Sequence, residues 1–431
     1  MKFNLTNNTI TAQGFTLFTI FSCILGVNFS IQLFGIQLSL YRINLVIAPL
    51  LFLIPILTRL NNCKNKGGFL YIIFLLIWLL YSFFSVLWVI DYPSWGKYIV
   101  FLISAFIFSS LIFVYIDNLE KFLNAIRIIV WLSILLSFLA FYESLYGNYF
   151  FLDPTSMEWY KEFSLLQKAS LFREPVTVFG NPNNYALFLF FSFALTLLLV
   201  IIDKKSRLRY IYIIYLAVSI FLIIITLSRS SLLGIFLFLL FLFLLVFFNG
   251  TLQLKRRLLY VLFLVCLIIS YFIYSYFFLI DGFFTLSFTS EGSSDDIRRN
   301  LILNGFIILS KYYYFGTGLG NIESNMAITT NFDVGGIVNI HNWWMEILVS
   351  SGVLIFILYV SIYIYTFINL CNLKRFNNSN HHFWTRAIFA SILFGFIFSS
   401  IGPSSLMECE WLWPIMALSF KSNYVFDNLQ K

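Results

Sequence analysis

Residues 231–249, SLLGIFLFLLFLFLLVFFN, form a continuous apolar run without a single charge. A helix needs about 20 such residues to cross the roughly 30 Å hydrocarbon core of a bilayer. Runs of this kind recur along the chain, and nothing else constrains its fold as strongly. Backbone in lipid must satisfy its own polar groups, which leaves only helices and closed barrels. The runs are continuous and lack period-two alternation, so helices are expected and a barrel is not. Composition agrees: 60% of the 431 residues are hydrophobic and 11% are charged, where a soluble domain carries about 25% charged residues. A cytosolic enzyme, a disulfide scaffold and a disordered chain are thereby excluded. Five scattered cysteines show no Cys-x-x-Cys pair and no metal-ligand spacing, so they read as ordinary apolar residues.

The hydropathy pattern predicts an all-α polytopic membrane protein of about 12 transmembrane helices. They are placed near 14–35, 38–58, 69–90, 98–116, 122–144, 184–202, 210–227, 231–249, 258–280, 343–369, 387–402 and 410–426. The whole of 1–431 reads as one membrane domain, with no cleavable leader: residues 1–13 are polar and no Ala-x-Ala site follows the first span. Twelve spans with both termini cytoplasmic put eighteen of the 27 basic residues, but only four of the 19 acidic ones, on the inner side. That is the expected bias of inner loops. The net charge of +8 is therefore a topology signal. It forms no single patch, and no nucleic-acid partner is expected.

Two outer connections are long, 145–183 and 281–342, and long loops in compact proteins are often functional. The second holds an amphipathic stretch at 298–314 that predicts a helix along the membrane interface. An ionisable group near membrane depth is costly and marks a candidate site. Arg229, in LSRSSLLG, lies between two apolar runs on the outer side; the alternative is snorkelling to lipid head groups. Arg298 and Arg299 open the interfacial helix, where Asp295 and Asp296 offer plain ion-pair partners. Arg173 precedes FGNPNNYALFL, in which Asn181, Asn183 and Asn184 either cap the next helix or bind a polar ligand. His341 stands in HNWWMEILVSSG just before a span, with Glu346 five residues on. A histidine there suits a general base or a phosphate-orienting donor, or is simply an interfacial residue. Glu408 and Glu410 are weaker candidates. GTGLG at 316–320 lacks the strand-turn-helix setting of a dinucleotide motif and reads as a tight, flexible loop. No Walker A, His-Glu-x-x-His or Asp-rich cluster occurs, so neither a cofactor nor a metal is expected.

These motifs, in this order, resemble the bacterial O-antigen polymerase and O-antigen ligase superfamily, multi-spanning inner-membrane proteins acting on polyprenyl-diphosphate-linked glycans. FGNPNNYALFL resembles the family's Gly-x-x-Asn-Pro-Asn stretch, LSRSSLLG its Ser-Arg-Ser/Gly motif, and FGTGLGNIES with HNWWMEILVSSG its Gly-x-Gly and His-Asn segments. The resemblance implies that Arg229, Arg298 and His341 are catalytic. Arg173, Asn181, Asn183, Arg299 and Glu346 would bind the diphosphate or glycan. It further implies metal-independent glycosyl transfer at the periplasmic face, with lipid-linked oligosaccharides as donor and acceptor. Membrane lipids and a chain-length regulator protein would be further partners. Ligases of the family often carry two threonines shortly after the glycine that follows the histidine motif. The corresponding stretch here, SGVLIFIL from Ser351 to Leu358, has none, so a polymerase is expected. A ligase is the alternative within the family, and a flippase or lipid-linked sugar transporter the alternative outside it. A transporter should show repeated halves, which the sequence lacks.

Overall fold

The computed structural model describes residues 5–26, 30–33, 36–49, 66–151, 173–204, 206–250, 294–329, 331–373 and 381–423. The helices are α1 (Leu5–Leu25), α2 (Lys66–Phe84), α3 (Tyr92–Tyr115), α4 (Leu119–Tyr146), α5 (Pro182–Ile202), α6 (Leu208–Ile225), α7 (Arg229–Asn249), α8 (Ser294–Lys311), α9 (Ile322–Ala327), α10 (Trp343–Cys371), α11 (His381–Ser399) and α12 (Leu412–Lys421). Among the described residues eight helices are long and apolar enough to cross a membrane: α2 with the turn after it, α3 to α7, α10 and α11. The chain is a polytopic helical membrane protein. The expected span 258–280, and residues 50–58 of the expected span 38–58, lie outside the described residues.

Several boundaries differ from expectation. Residues 30–39 are not the facing ends of two spans but an antiparallel hairpin, β1 (Ser30–Leu33) with β2 (Ile36–Ser39), Ser30 opposite Ser39. Among the described residues the fold is thus helical save for one ribbon. The expected span 410–426 shortens to α12, ten residues, and α11 ends at Ser399, which frees residues 400–410 as a loop. The helix expected over 298–314 appears as α8, shifted to 294–311, followed by the short α9.

Helix α5 is the hub: it packs on α4, α6, α7 and α11, and its residues Tyr185 to Leu199 are almost all buried. Small residues set the closest approach, between α7 and α11. A Cβ on Gly395 would lie 2.7 Å from the Gly234 carbonyl oxygen, and one on Gly234 2.6 Å from Ser399 Cβ. Without a hydrophobic drive between helices in lipid, such backbone contact supplies the packing energy. The outer ring is apolar as well: Phe138 is 70% exposed, Ile214 65% and Leu354 63%. Side chains of this kind, spread along whole helices, fit a lipid solvent.

Helix α10 is broken. Gly352 has φ 76° and ψ 174°, outside helical geometry, and the carbonyls before it lose their partners. The glycine-rich segment fills the gap: Thr317 N donates to Val349 O (2.8 Å), Gly318 N to Ser350 O (2.9 Å), and Val353 N to Tyr314 O (3.0 Å). GTGLG is therefore a clamp, not a flexible loop. Gly316 is in the left-handed region, and a Cβ there would sit 2.5 Å from Gly352 N. From the other side Tyr81 Oη donates to Phe315 O (2.5 Å) and Trp88 Nε1 to Gly316 O (2.9 Å). Leu301, Ile308, Ile322, Met326 and Ile340 give α8 and α9 a small core of their own against Met345 and Val349. The result is a cap on one end of the bundle.

Candidate active site at the capped end

The backbone of His341 is fixed from both sides. Asn342 caps α10, its Oδ1 accepting from Trp344 N (3.0 Å) and Met345 N (3.2 Å). Asn339 Oδ1 accepts from His341 N at 3.1 Å. Between these two turns His341 takes φ 47°, a left-handed conformation unusual for a residue with a Cβ. The imidazole then lies against the backbone of Gly402 and Pro403, with Arg298 of α8 close enough to act on it. Burial, and secondly the Arg298 charge, push its pKa below the ordinary value, while the Pro403 and Gly402 backbone offsets part of this. Histidine ordinarily titrates near about 6.5, so the ring is neutral at pH 7. Its Nδ1 is buried and has no hydrogen-bond partner. A neutral imidazole with a free ring nitrogen is equipped to accept a proton.

The loop 400–410 connects this histidine to the rest of the site. Trp343 N donates to Ser400 O at 3.2 Å. Asn184 Nδ2 donates to Ser404 Oγ (2.9 Å) and Ser404 N donates to Asn184 Oδ1 (3.1 Å). A Cβ at Gly402 would meet Ser230 Oγ at 2.1 Å and lie 3.7 Å from Asn183 Oδ1. Gly402 is thus squeezed between His341 and the first turns of α5 and α7.

Arg229 is the first residue of α7, exposed, after a tight turn in which Leu227 has φ 54°. Ser228 precedes it without a side-chain cap bond and bonds to Ser231 Oγ at 3.2 Å. The first amides of a helix have no partner within the helix and carry the positive end of its dipole. Arg229 and the α7 terminus together are therefore suited to an anion.

The structure brings Arg298 to His341, and Asn183 to Gly402 beside Ser230. Other expected site residues have different surroundings. Arg173 Nη1 reaches the Gly147 carbonyl at the end of α4 (3.4 Å). Asn181 caps α5, its Oδ1 accepting from Asn183 N at 2.8 Å. Arg299 is exposed on α8. Glu346 is buried and turned to the loop: it accepts from Leu406 N (2.9 Å), Met407 N (3.4 Å) and the Ser405 hydroxyl. Of the weaker pair, Glu408 bonds Lys97 (2.9 Å) and Tyr98 (2.8 Å), and Glu410 is buried against Arg42 at 3.0 Å. Sequence reasoning named Asn184 only as a cap or ligand contact, whereas it bonds Ser404, and it missed Gly402, Ser404 and Ser405. The Gly-Pro-Ser-Ser run at 402–405, straight after an apolar stretch, was the available signal. Among the described residues no three His, Cys, Asp or Glu side chains come together as a metal site would require.

Residues 214–360 match a family model described as O-antigen ligase, from within α6 through α7 and the cap to just beyond the Gly352 break. Over 404 residues the chain is 26% identical to the teichuronic acid biosynthesis protein TuaE of Bacillus subtilis (strain 168), covering 90% of this chain and 79% of that protein. No solved structure matches. The matched stretch contains Arg229, Arg298 and His341, and together with the relative's similarity it supports membership in the O-antigen ligase and polymerase superfamily of membrane glycan-processing proteins.

Proposed function

We propose that the chain is a polysaccharide polymerase: a glycosyltransferase that moves a growing glycan from a polyprenyl diphosphate onto a second lipid-linked repeat unit. One observation carries this reading. His341, whose Nδ1 has no hydrogen-bond partner, and the first turn of α7, which Arg229 begins, both adjoin Gly402, with Arg298 close enough to act on the histidine. In the reaction an acceptor hydroxyl oxygen bonds to the donor sugar C1 and the bond from C1 to the phosphate oxygen breaks. The polyprenyl diphosphate leaves with the electron pair. His341 takes the hydroxyl proton. Arg229, the α7 amides and Arg298 meet the charge growing on the leaving oxygen, and such preorganised charge is usually the largest catalytic term. The donor is already activated, so the step needs no nucleotide. In this reading there are twelve spans, both termini are cytoplasmic, and the cap faces the periplasm. Asn183 and Arg299 line the approach of the glycan.

The missing threonines in Ser351–Leu358 support a polymerase over a ligase. The ligase reading keeps one observation of its own, the description of the matched family model. The two separate in one experiment with purified protein in lipid nanodiscs and a synthetic polyprenyl-diphosphate oligosaccharide. A polymerase gives a ladder of longer lipid-linked glycans and free polyprenyl diphosphate from that substrate alone. No ladder until a lipid A-core acceptor is added assigns a ligase. Glycan crossing the bilayer with no bond made would overturn both.

A further inference from the structure

We infer that Asn184 and Glu346 are positioning residues that act on His341 through the loop 400–407, and that neither touches substrate. The inference rests on the reading of His341 as the residue that takes the acceptor's proton. The loop consists of turns and bends, so its place is set from outside. From α5, Asn184 grips Ser404 through both the amide nitrogen and the carbonyl oxygen, at 2.9 and 3.1 Å. From α10, the Glu346 carboxylate takes the amides of Leu406 and Met407 and the hydroxyl of Ser405. From α3, Tyr98 Oη stands 3.2 Å from Ser405 Oγ. Gly402 and Pro403, the backbone against which the imidazole lies, come just before these grips.

Burial argues against a role in binding. Glu346 is 5% exposed and Asn184 7%. Both Glu346 oxygens are directed at the loop, and a buried carboxylate already accepting from three donors has little left for a sugar hydroxyl. A residue that fixes a catalytic group within a fraction of an ångström is nevertheless worth much of its rate, since misplacement by about 1 Å costs on the order of a hundredfold. The distribution of histidines supplies an internal control. His381 and His382 begin α11, at the opposite end of the bundle, while His341 stands under the loop.

The test uses the full chain in nanodiscs with the lipid-linked oligosaccharide, and compares Asn184→Leu, Asn184→Asp, Glu346→Ala, Glu346→Gln and His341→Ala. Two quantities are read: kcat and KM for the acceptor, and the rate of diethyl pyrocarbonate modification at each histidine by mass spectrometry. Asn184→Leu and Glu346→Ala are expected to lower kcat about tenfold or more with KM within about twofold. Modification of His341 should quicken several-fold relative to His381 and His382. Asn184→Asp and Glu346→Gln keep an acceptor oxygen and should restore most of kcat. A raised KM at unchanged kcat would mean direct substrate contact and overturn the inference. So would equal quickening at all three histidines, the mark of general loosening, or no change at His341. Full activity in His341→Ala would instead sink the parent reading while leaving the labelling result to be judged by itself.

Discussion

At the end of the bundle that carries Arg127 and Lys421, short turns join α3 to α4 and α5 to α6, and three cations sit on plain partners. Arg127 pairs with Asp203 at 3.0 Å, Lys121 with Asp117 at 2.8 Å, and Lys421 Nζ donates to Phe113 O at 2.6 Å. At the capped end the links after α4, α9 and α11 are longer, and two of the buried acids hold backbone. Glu143 accepts from Val176 N (3.0 Å) and Thr177 N (2.8 Å), as Glu346 does from Leu406 and Met407. The left-handed residues sort the same way. Thr177, Leu227, Tyr313, Tyr314 and His341 have positive φ without being glycine, and all five lie at the capped end. Each such residue costs roughly 1–3 kcal/mol and persists only where its surroundings over-determine it. One end is built to join helices; the other spends stability on holding particular groups still.

The largest effects that bear on this contrast come from the site. His341→Ala or Arg229→Ala should cut glycan transfer at least about a hundredfold, the scale for loss of a general base or an oxyanion contact, with protein levels in the membrane unchanged. Wild-type ladders from either variant would remove the reason for a specialised end. Next come Gly352→Ala and Gly316→Ala. Added side chains there meet backbone atoms at 2.4 and 2.5 Å in a left-handed conformation. The conformation alone costs about 1–2 kcal/mol, so both should melt several degrees lower by dye-monitored unfolding. Alanine at an exposed position such as Leu354 should not. A pH profile is more delicate. His341 is held below its ordinary pKa by burial and by Arg298, so kcat/KM should fall on the acid side only below about 6.5. Arg298→Gln removes a charge that disfavours the protonated ring, so the acid limb of the residual activity should move upward; a downward shift would contradict the geometry. The smallest effect is expected at Arg173→Ala, which loses a bond to the end of α4 worth about 0.3–1 kcal/mol in an exposed setting. A drop in kcat as deep as that of Arg229→Ala would place Arg173 among the diphosphate contacts after all.

What the sequence revealed, and what it hid, follows from how far each contact reaches. A span such as α7 is legible because its signal lies in consecutive residues, and Arg229 because a cation between two apolar runs stands out. Capping by Asn181 and Asn342 is local too, decided within three residues. The hairpin was missed although Ile31, Leu33, Ile36 and Leu38 alternate with polar neighbours around Gly35, because the mean hydropathy of two flanking spans swamped a short period-two pattern. The loop 400–407 was hidden for a deeper reason. Its grips join residues 60 and 220 positions apart, and most of the donors are backbone amides, which look alike in every sequence. Glu346 was legible only as a polar residue five positions after His341; that it is buried and faces a loop rather than a ligand only tertiary structure tells.

The break in α10 bears on how a long lipid-linked substrate gains access. Residues 353–371 alone span about 28 Å at helical rise, close to a hydrocarbon core of about 30 Å, so Gly352 marks where the helix leaves lipid. At that level the carbonyls of Val349 and Ser350 are completed by Thr317 and Gly318 of the cap. Lifting the cap would strand backbone groups at the edge of the hydrocarbon, at several kcal/mol each. Cap and helix therefore move as one rigid piece. For the lipid-linked donor of the proposed reaction, the doorway is then a gap between neighbouring helices in the plane of the membrane, with the cap a fixed roof over its sugars rather than a hinged door.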